Sequence, residues 1–292
     1  AARVARRPGE DRPSLLGVMG PDEYTPLADN NAYTNALAAF SLRTAADLAG
    51  RQAAADDERD AWRRAGETLR IPRKGNLVLQ SEGFDALPPA DFASRWPDRD
   101  RPFAGQVPQE YLYRTQCLKQ ADVLMLMWLF PGEFTLEEQR AAWDYYLPIT
   151  THDSSLSGAI HCLMGCRLGL PDDAWGFWKR ACDIDLRGGA AEGVHIAACA
   201  ATWQMAVFGF AGLEPATGTE TLTLNPRLPA AWSALEFPMV WRGAPLAVRV
   251  THDEVRITSR AEGDLRALVG GRPIAIGPGR TVSVAPAAGA SS

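Results

Sequence analysis

The hydrophobic periodicity of this chain changes once along its length, near residue 219. Before this point, apolar residues recur every three or four positions, which is typical of helices. After it, short segments alternate apolar and polar residues and are separated by predicted turns at Arg242-Gly243, His252-Asp253 and Gly270-Gly271. A run of helices followed by a run of strands indicates two domains. The sequence therefore predicts a mainly α domain over residues 1–215 and a β domain over residues 216–292 that ends in a disordered tail.

The helical part carries seven predicted helices, at about residues 30–51, 54–70, 118–130, 135–146, 155–168, 172–183 and 193–211. Strongly apolar helices alternate with more polar ones, as the inner and outer helices of an α/α barrel would. Thr135 and Glu138 have the spacing of a capping box. Three to four helix pairs are too few to close a barrel of six pairs, so the pattern predicts an incomplete ring.

Composition and charge exclude several classes of protein. The chain has 292 residues, of which 46% are hydrophobic and 22% are charged, as in an ordinary globular protein. Its net charge of −5 argues against binding to nucleic acid by bulk electrostatics. The stretch 195–213 is long enough for a bilayer but is rich in Ala and Gly, so it predicts a buried helix. No secretory signal is visible, and we expect a cytoplasmic protein without nucleic-acid or membrane partners.

A pair of carboxylates stands in the motif GPDEY, residues 20–24, on a predicted loop before a helix. Functional side chains often lie on loops that rigid elements hold. A Glu beside another acid can serve as a general acid, here Glu23. A turn in which Asp22 or Glu23 caps a helix is the alternative interpretation.

Lys119 and Gln120 begin the predicted apolar helix 118–130, after an irregular segment. A Lys and a Gln at the mouth of a buried helix can donate hydrogen bonds to sugar hydroxyls. An exposed amide and a Lys whose aliphatic stem covers apolar surface are the alternative.

Ser154 and Ser155 precede another predicted helix, and His195 opens the last one. The free N–H groups of a helix N-terminus, together with two hydroxyls, can bind an anion, and His195 can add a further donor. Ordinary N-capping by Asp153 or Ser154, and a histidine satisfied within the core, are the alternatives.

Five blocks of sequence stand in order along the chain, namely GVMGPDEY with DNNAYTN (17–35), QSEGF (80–84), LKQADVLMLMWLF (118–130), DYYLPITTHDSSLS (144–157) and EGVHIAACAATW (192–203). Together they resemble the inverting disaccharide phosphorylases of glycoside hydrolase family 65, which act on maltose, trehalose, kojibiose and nigerose. The strand-rich tail is similar to the small C-terminal β domain of that family. The resemblance implies the C-terminal half of an (α/α)6 barrel, followed by a small antiparallel β-sandwich domain.

The resemblance also implies the roles of individual residues. Glu23 corresponds to the general acid, and Lys119 and Gln120 correspond to the residues that hold the glucose whose bond is cleaved. The serines of the phosphate site correspond to Ser154 and Ser155.

His195 completes the implied phosphate site. The implied reaction is phosphorolysis of an α-linked glucose disaccharide, of the trehalose, maltose or kojibiose type, to β-D-glucose 1-phosphate and the acceptor sugar. Because phosphate is itself the nucleophile, such an enzyme needs only the acid of the two carboxylates that an inverting glycosidase uses. We expect inorganic phosphate as co-substrate and no metal or other cofactor. A homodimer of the full-length enzyme is compatible with the resemblance.

Two departures from the family pattern leave alternatives open. Thr25 stands where the family often has His, and family members are usually more than twice as long, so the first half of the barrel has no counterpart here. One alternative is a trehalase-like hydrolase, in which a carboxylate base replaces the phosphate site. The other is an inactive, truncated remnant that binds only sugar or a partner chain.

Overall fold

The protein divides into two compact units, Ala1–Ser157 and Gly158–Ser292. The computed structural model describes residues 7–10, 12–49, 56–186, 193–215 and 220–286. The predicted domain boundary after residue 215 is a different division of the chain, and it stays a prediction. The predicted C-terminal tail lies largely outside the described residues.

The first unit is helical. Its helices are α1 (Ala32–Ala49), α2 (Asp56–Thr68), α3 (Phe92–Arg95), α4 (Gln109–Tyr113), α5 (Asp122–Leu129) and α6 (Leu136–Tyr146). Helix α1 packs against α2 and α5, and α5 packs against α6. A short antiparallel pair, β1 (Arg73–Lys74) and β2 (Leu77–Val78), packs on α6 through β2. The four long helices of this unit were all predicted, whereas α3 and α4 lie in a segment that the sequence left irregular.

Polar side chains fix where these helices begin. Asn31 precedes α1, and its Oδ1 accepts the N–H of Thr34 at 2.9 Å. At the start of α6, Thr135 Oγ1 accepts the N–H of Glu138 at 3.2 Å, and the Glu138 carboxylate accepts the N–H of Thr135 at 2.8 Å. The predicted capping box is therefore confirmed.

Helix α5 begins at Asp122, later than the predicted residue 118. Leu118 instead forms an isolated parallel β-bridge with Thr150. Its N–H donates to the Ile149 carbonyl at 3.0 Å, and its carbonyl accepts the N–H of Thr151 at 2.8 Å. The backbone bonds that Leu118 makes to this neighbouring segment compete with helix formation. Lys119 and Gln120 consequently lie in the turn before α5 rather than on the helix.

The second unit begins with the helices α7 (Ser157–Leu168), whose first residue closes the first unit, α8 (Pro171–Asp183) and α9 (Ile196–Gln204). Helix α9 continues as a π-helical segment, Met205–Phe210. Two residues after this segment, at Gly212, φ is +63° and a Cβ would lie 1.9 Å from the Asn225 carbonyl oxygen. Only glycine fits at that position.

The buried helix predicted over 193–211 is buried only in part: Met205, Val207 and Phe210 of the π-helical segment are buried, whereas much of α9 is exposed. Val194, Ile196 and Trp203 are 67%, 77% and 52% exposed. Apolar composition sets a preference for burial but does not supply a packing partner, so the prediction is wrong for the side of α9 that carries these residues. Within the described ranges, no helix combines the length and apolarity needed to cross a membrane.

The strands of the second unit are β3 (Leu222–Leu224), β4 (Ala234–Trp241), β5 (Ala244–Thr251), β6 (Val255–Ser259), β7 (Leu265–Val269), β8 (Arg272–Ile276) and β9 (Thr281–Val284). They form two sheets, in the orders β3-β7-β8 and β4-β5-β6-β9. All pairs are antiparallel except β3–β7, which is parallel, so the expectation of purely antiparallel sheets is wrong. The long connection through β4, β5 and β6 allows the parallel pairing. Both sheets contribute to one buried apolar cluster.

The predicted turns of the β region are confirmed. Arg242 and Gly243 join β4 to β5 with φ of 48° and 86°, as a tight hairpin of type I′ requires. Gly270 and Gly271 join β7 to β8 in the same way, with φ of 53° and 78°. The turn 252–253 is closed by a bond from the Thr251 N–H to the Glu254 carbonyl at 2.8 Å.

Candidate functional site

The first unit contains an open cleft of about 410 Å³. Charged groups from three distant parts of the sequence line it, namely Glu23, Lys119 and Asp153, with Tyr24 and Tyr113 among the aromatic residues. A concave surface that combines aromatic rings with a few charged groups is typical of a ligand site. Two of the residues singled out from the sequence, Glu23 and Lys119, therefore face the same cavity.

Glu23 and Lys119 form an ion pair in this cleft. The Lys119 Nζ lies 2.8 Å from Glu23 Oε2, and the Glu23 side chain is 61% exposed whereas that of Lys119 is 25% exposed. An ion pair this open contributes little to the stability of the fold. Its carboxylate is accessible to a ligand, as a general acid must be.

Asp22, the other carboxylate of the predicted pair, is fully buried. It accepts hydrogen bonds from the backbone N–H groups of Lys119 and Gln120 and from the Gln80 amide. Burial raises the pKa of Asp22, although each of these hydrogen bonds lowers it. The two neighbouring acids thus have different environments, one structural and one open to the cleft.

Gln120 ties the turn before α5 to the GPDEY loop. Its Nε2 donates to the Pro21 carbonyl at 2.7 Å. Its Oε1 is buried and makes no protein hydrogen bond. The side chain lies next to Lys119, but its assignment to glucose binding stays a prediction.

Asp153 connects the cleft to the turn that carries the two serines. Its Oδ2 accepts the Tyr24 hydroxyl at 2.6 Å and the Ala104 N–H at 3.1 Å. Burial and this carboxylate raise the pKa of Tyr24, so the phenol stays a donor. Ser154 and Ser155 follow directly, half-buried in the turn before α7. The Ser154 Oγ accepts the N–H of Leu156 at 3.3 Å, and the hydroxyl can donate at the same time.

His195 lies in the second unit, immediately before α9. Its ring Nδ1 is 2.7 Å from Asp185 Oδ1, and its backbone N–H donates to Asp185 Oδ2 at 2.8 Å. The side-chain bond to His195 holds the pKa of Asp185 below its usual value. This double contact fixes the ring and leaves Nε2 as the outward nitrogen. Glu192, in the same sequence block, lies outside the described residues.

Three functional neighbours were not found from the sequence. Tyr24 belongs to the GPDEY motif, and Asp153 stands beside the serines as a possible helix cap, but their contact joins residues 129 positions apart. Asp185 precedes His195 by ten residues with no helical or strand spacing between them. Proximity to a motif was the only signal for the first two, and Asp185 had none.

The site does not contain an evident metal-binding arrangement. Across the parts of the chain that the structure describes, no group of three or more His, Cys, Asp or Glu side chains is placed to hold a metal ion. The charged groups of the cleft instead pair an ammonium with a carboxylate and a carboxylate with a phenol. The expectation that no cofactor is needed stays an expectation.

Gly20 opens the GPDEY loop at a point where a side chain does not fit. A Cβ there would lie 2.6 Å from Asn31 Nδ2 and 2.8 Å from Asp122 Oδ2. These two atoms are hydrogen-bonded to each other at 3.1 Å, and both residues are buried. Burial, with a smaller contribution from the charge of Asp22, raises the pKa of Asp122 to about 8. The glycine therefore leaves room for a buried polar cluster beneath the loop.

We expect Gly20→Ala to lower the free energy of unfolding by about 1–3 kcal/mol, as overpacking of a filled site does. The added methyl group has to separate Asn31 from Asp122. Urea denaturation followed by circular dichroism measures the change. The control is Gly132→Ala, where nothing lies within 4 Å of the new Cβ. Equal stabilities of the two variants would contradict the close packing at Gly20.

Comparisons with known proteins identify the family of this chain. The model of the glycosyl hydrolase family 65 central catalytic domain matches residues 1–204, and that of the family's C-terminal domain matches residues 217–276. A kojibiose phosphorylase of Caldanaerobacter subterraneus subsp. tengcongensis is 34% identical over an alignment of 269 positions, which covers 85% of this chain and 34% of that protein. An α,α-trehalose phosphorylase of Thermoanaerobacter brockii is 34% identical over an alignment of 288 positions, which covers 89% of this chain and 34% of that protein.

A solved structure shows the same relation. The "Putative kojibiose phosphorylase from human microbiome" superposes with a TM-score of 0.86 at 29% identity, over 97% of this chain and 41% of that one. The chain thus spans about a third of the length of the curated relatives it matches. Since the catalytic-domain match alone covers more than half of the sequence, the chain belongs to glycoside hydrolase family 65.

Proposed function

We propose that this chain serves the inverting phosphorolysis of an α-linked glucose disaccharide, of the trehalose, kojibiose or maltose type, to β-D-glucose 1-phosphate and the acceptor sugar. The observation that carries the proposal is the open Glu23 carboxylate, which lies in a cleft against the Lys119 ammonium. The names of the relatives, kojibiose phosphorylase and α,α-trehalose phosphorylase, support the reaction class.

Glu23 acts as the general acid in this reaction. Its proton goes to the glycosidic oxygen, the bond from that oxygen to the anomeric carbon breaks, and phosphate attacks the carbon from the opposite face. Lys119 and Gln120 hold the glucose unit. Because Lys119 contacts Glu23 in the free protein, we expect its ammonium to turn to a sugar hydroxyl when substrate binds, which frees the carboxyl group for its proton.

Phosphate takes the place of the water and base of an inverting hydrolase. Ser154 and Ser155 stand in the turn before α7, where backbone N–H groups and two hydroxyls suit an anion. We assign His195 to phosphate binding from the family resemblance. Within the second unit, Asp185 contacts its Nδ1, so that Nε2 is the nitrogen left for a phosphate oxygen. No cofactor takes part in this scheme.

The proposed architecture is the C-terminal half of an (α/α)6 barrel followed by a β-sandwich. The packing of α1 with α2, of α5 with α6 and of α8 with α9 is consistent with paired barrel helices. The two sheets that share an apolar cluster are consistent with a sandwich. We further propose a cytoplasmic enzyme whose full-length form is compatible with a homodimer.

Hydrolysis is the second candidate, because the cleft holds another carboxylate, that of Asp153. An inverting hydrolase would use such a group to activate water. The Tyr24 hydroxyl and the Ala104 N–H already occupy its Oδ2, which favours a structural role. Glucose released without added phosphate, and lost in Asp153→Asn, would support hydrolysis. Glucose 1-phosphate formed only with phosphate supports phosphorolysis.

Removal of the phosphate ligands tests the proposed site. In the completed enzyme, with the rest of the family's length supplied, we expect Ser154→Ala with Ser155→Ala, or His195→Ala, to raise the KM for phosphate by about tenfold or more. The reason is the loss of charge-assisted hydrogen bonds of about 1.5–3 kcal/mol each. The KM for the sugar should change far less.

Initial rates at varied phosphate and fixed sugar, and the reverse, measure the two constants. Thr258→Ala in β6 is the control for a lost hydroxyl in the β region, where the Thr258 Oγ1 lies 2.9 Å from the Thr281 Oγ1. A rise in both KM values by the same factor would contradict the assignment of these residues to phosphate.

A further inference from the structure

One carboxylate joins three separate segments beneath the cleft. Asp22 Oδ1 accepts the backbone N–H of Lys119 at 2.7 Å and that of Gln120 at 3.4 Å. Its Oδ2 accepts the Gln80 Nε2 at 2.9 Å and the Thr25 hydroxyl at 3.1 Å. Hydrogen bonds to an ionised carboxylate are stronger than neutral ones. Asp22 is therefore the most connected acid of this loop.

These contacts hold both partners of the ion pair in the cleft. Asp22 is the residue before Glu23, and it bonds the backbone of Lys119 itself. The Lys119 ammonium sits on a flexible stem of four carbons, so the position of its backbone limits where the charge can reach. The Lys119 Nζ and the Glu23 Oε2, 2.8 Å apart, thus belong to two residues that Asp22 links, one by the chain and one by a hydrogen bond.

A second link between the same segments is weaker. Gln120 Nε2 donates to the Pro21 carbonyl at 2.7 Å, which is a bond between neutral groups. Without the Asp22 carboxylate, the N–H groups of Lys119 and Gln120 would lose their acceptor. Buried donors without a partner are costly, so the turn before α5 would move to satisfy them.

We propose that Asp22 is a positioning residue, which places the Lys119 ammonium against the Glu23 carboxylate in the cleft. It touches no ligand, because its side chain has no exposed surface. The inference rests on the proposed function only for the roles of the two residues, namely Glu23 as general acid and Lys119 as a cation that binds the sugar. The geometry that it concerns can be measured without turnover.

Zero-length cross-linking with a carbodiimide tests it on the 292-residue chain. The reagent activates an exposed carboxylate, and an amine in contact then forms an amide. The chain has three lysines, so few products arise. Lys119 should link to Glu23, while Lys74, whose Nζ is 2.9 Å from Asp85 Oδ2, should link to Asp85 and serve as the internal reference. Peptide mass spectrometry gives the ratio of the two products.

We expect Asp22→Ala to lower the ratio of the Glu23–Lys119 product to the reference product by about tenfold, which corresponds to about 1.4 kcal/mol. Asp22→Asn keeps an oxygen for the two N–H groups and should recover part of the ratio. Asp122→Asn changes an equally buried carboxyl that bonds Asn31 instead, and should leave the ratio unchanged.

Two results would overturn the proposal. An unchanged ratio in Asp22→Ala would mean that the ion pair forms without this anchor. A parallel fall of both products would mean that Asp22 only supports the fold. Failure of the proposed function looks different, because a completed wild-type enzyme would then form no glucose 1-phosphate while the cross-linking ratios still responded to Asp22.

Discussion

Replacement of Glu23 by Gln in the completed enzyme should lower kcat by about 10²–10⁴-fold, the range for a lost general acid. The amide keeps the size of the side chain and can still accept a hydrogen bond from Lys119, so the cleft should keep its shape. What is lost is the proton for the glycosidic oxygen, because an amide cannot act as an acid at neutral pH. Initial rates of glucose 1-phosphate formation measure the effect.

A substrate with a good leaving group separates this role from a general loss of structure. The leaving group of 4-nitrophenyl α-D-glucoside departs as a stable anion and needs little protonation. We therefore expect the loss of kcat in Glu23→Gln to be much smaller with this substrate than with a disaccharide.

Glu133→Gln is the matched control, since Glu133 is a similarly exposed partner of an ion pair, with Arg43 at 3.1 Å, and does not line the cleft. Disaccharide turnover within about threefold of wild type in Glu23→Gln would reject the assignment.

The sequence predicted the elements of this fold better than their contacts. The capping box at Thr135, the hairpin turn at Arg242-Gly243 and the seven long helices follow from local rules on capping, positive φ and periodicity. Such rules depend on a few neighbouring residues. They give no information about which helix faces find a partner surface, so the exposure of Ile196 and Trp203 on α9 was not expected.

The candidate site was predicted through motifs, and the structure adds how the motifs are connected. Glu23 and Lys119 were each predicted separately, and their contact joins residues 96 positions apart. The different environments of Asp22 and Glu23 could not be read from adjacent acids, because burial decides which carboxylate is structural. The parallel pairing of β3 with β7 escaped prediction for a similar reason, since strand direction depends on the path of the intervening chain.

Exposed apolar side chains predict the behaviour of the chain on its own. Ile196 and Trp203 on α9 are exposed to solvent, and so is Val194, two residues before the helix. On α1, Phe40 and Leu48 are 47% and 58% exposed. Contiguous apolar patches beyond several hundred Å² mark association surfaces in proteins. These two helices are also those that begin and end the helical part of the sequence, where the ring of helix pairs was expected to be incomplete.

We expect the isolated chain of 292 residues to self-associate and to show no turnover of trehalose, maltose or kojibiose with phosphate. Its matched relatives are about three times as long, so parts of their chains that have no counterpart here can contribute residues to their active sites. Co-expression with a segment equivalent to that further part should improve both solubility and activity. Size-exclusion chromatography with light scattering and a glucose 1-phosphate assay measure the two properties.

Two variants locate the association surface. Ile196→Gln combined with Trp203→Gln removes apolar area from α9 and should shift the isolated chain towards the monomer. Leu136→Gln removes a similarly exposed apolar side chain, 63% open at the start of α6, and should leave association unchanged. If the α9 double variant and Leu136→Gln reduced association equally, the association would be non-specific rather than located on α9. A clean monomer that phosphorolyses a disaccharide would contradict the prediction altogether, because the cleft around Glu23 and Lys119 would then be sufficient for catalysis.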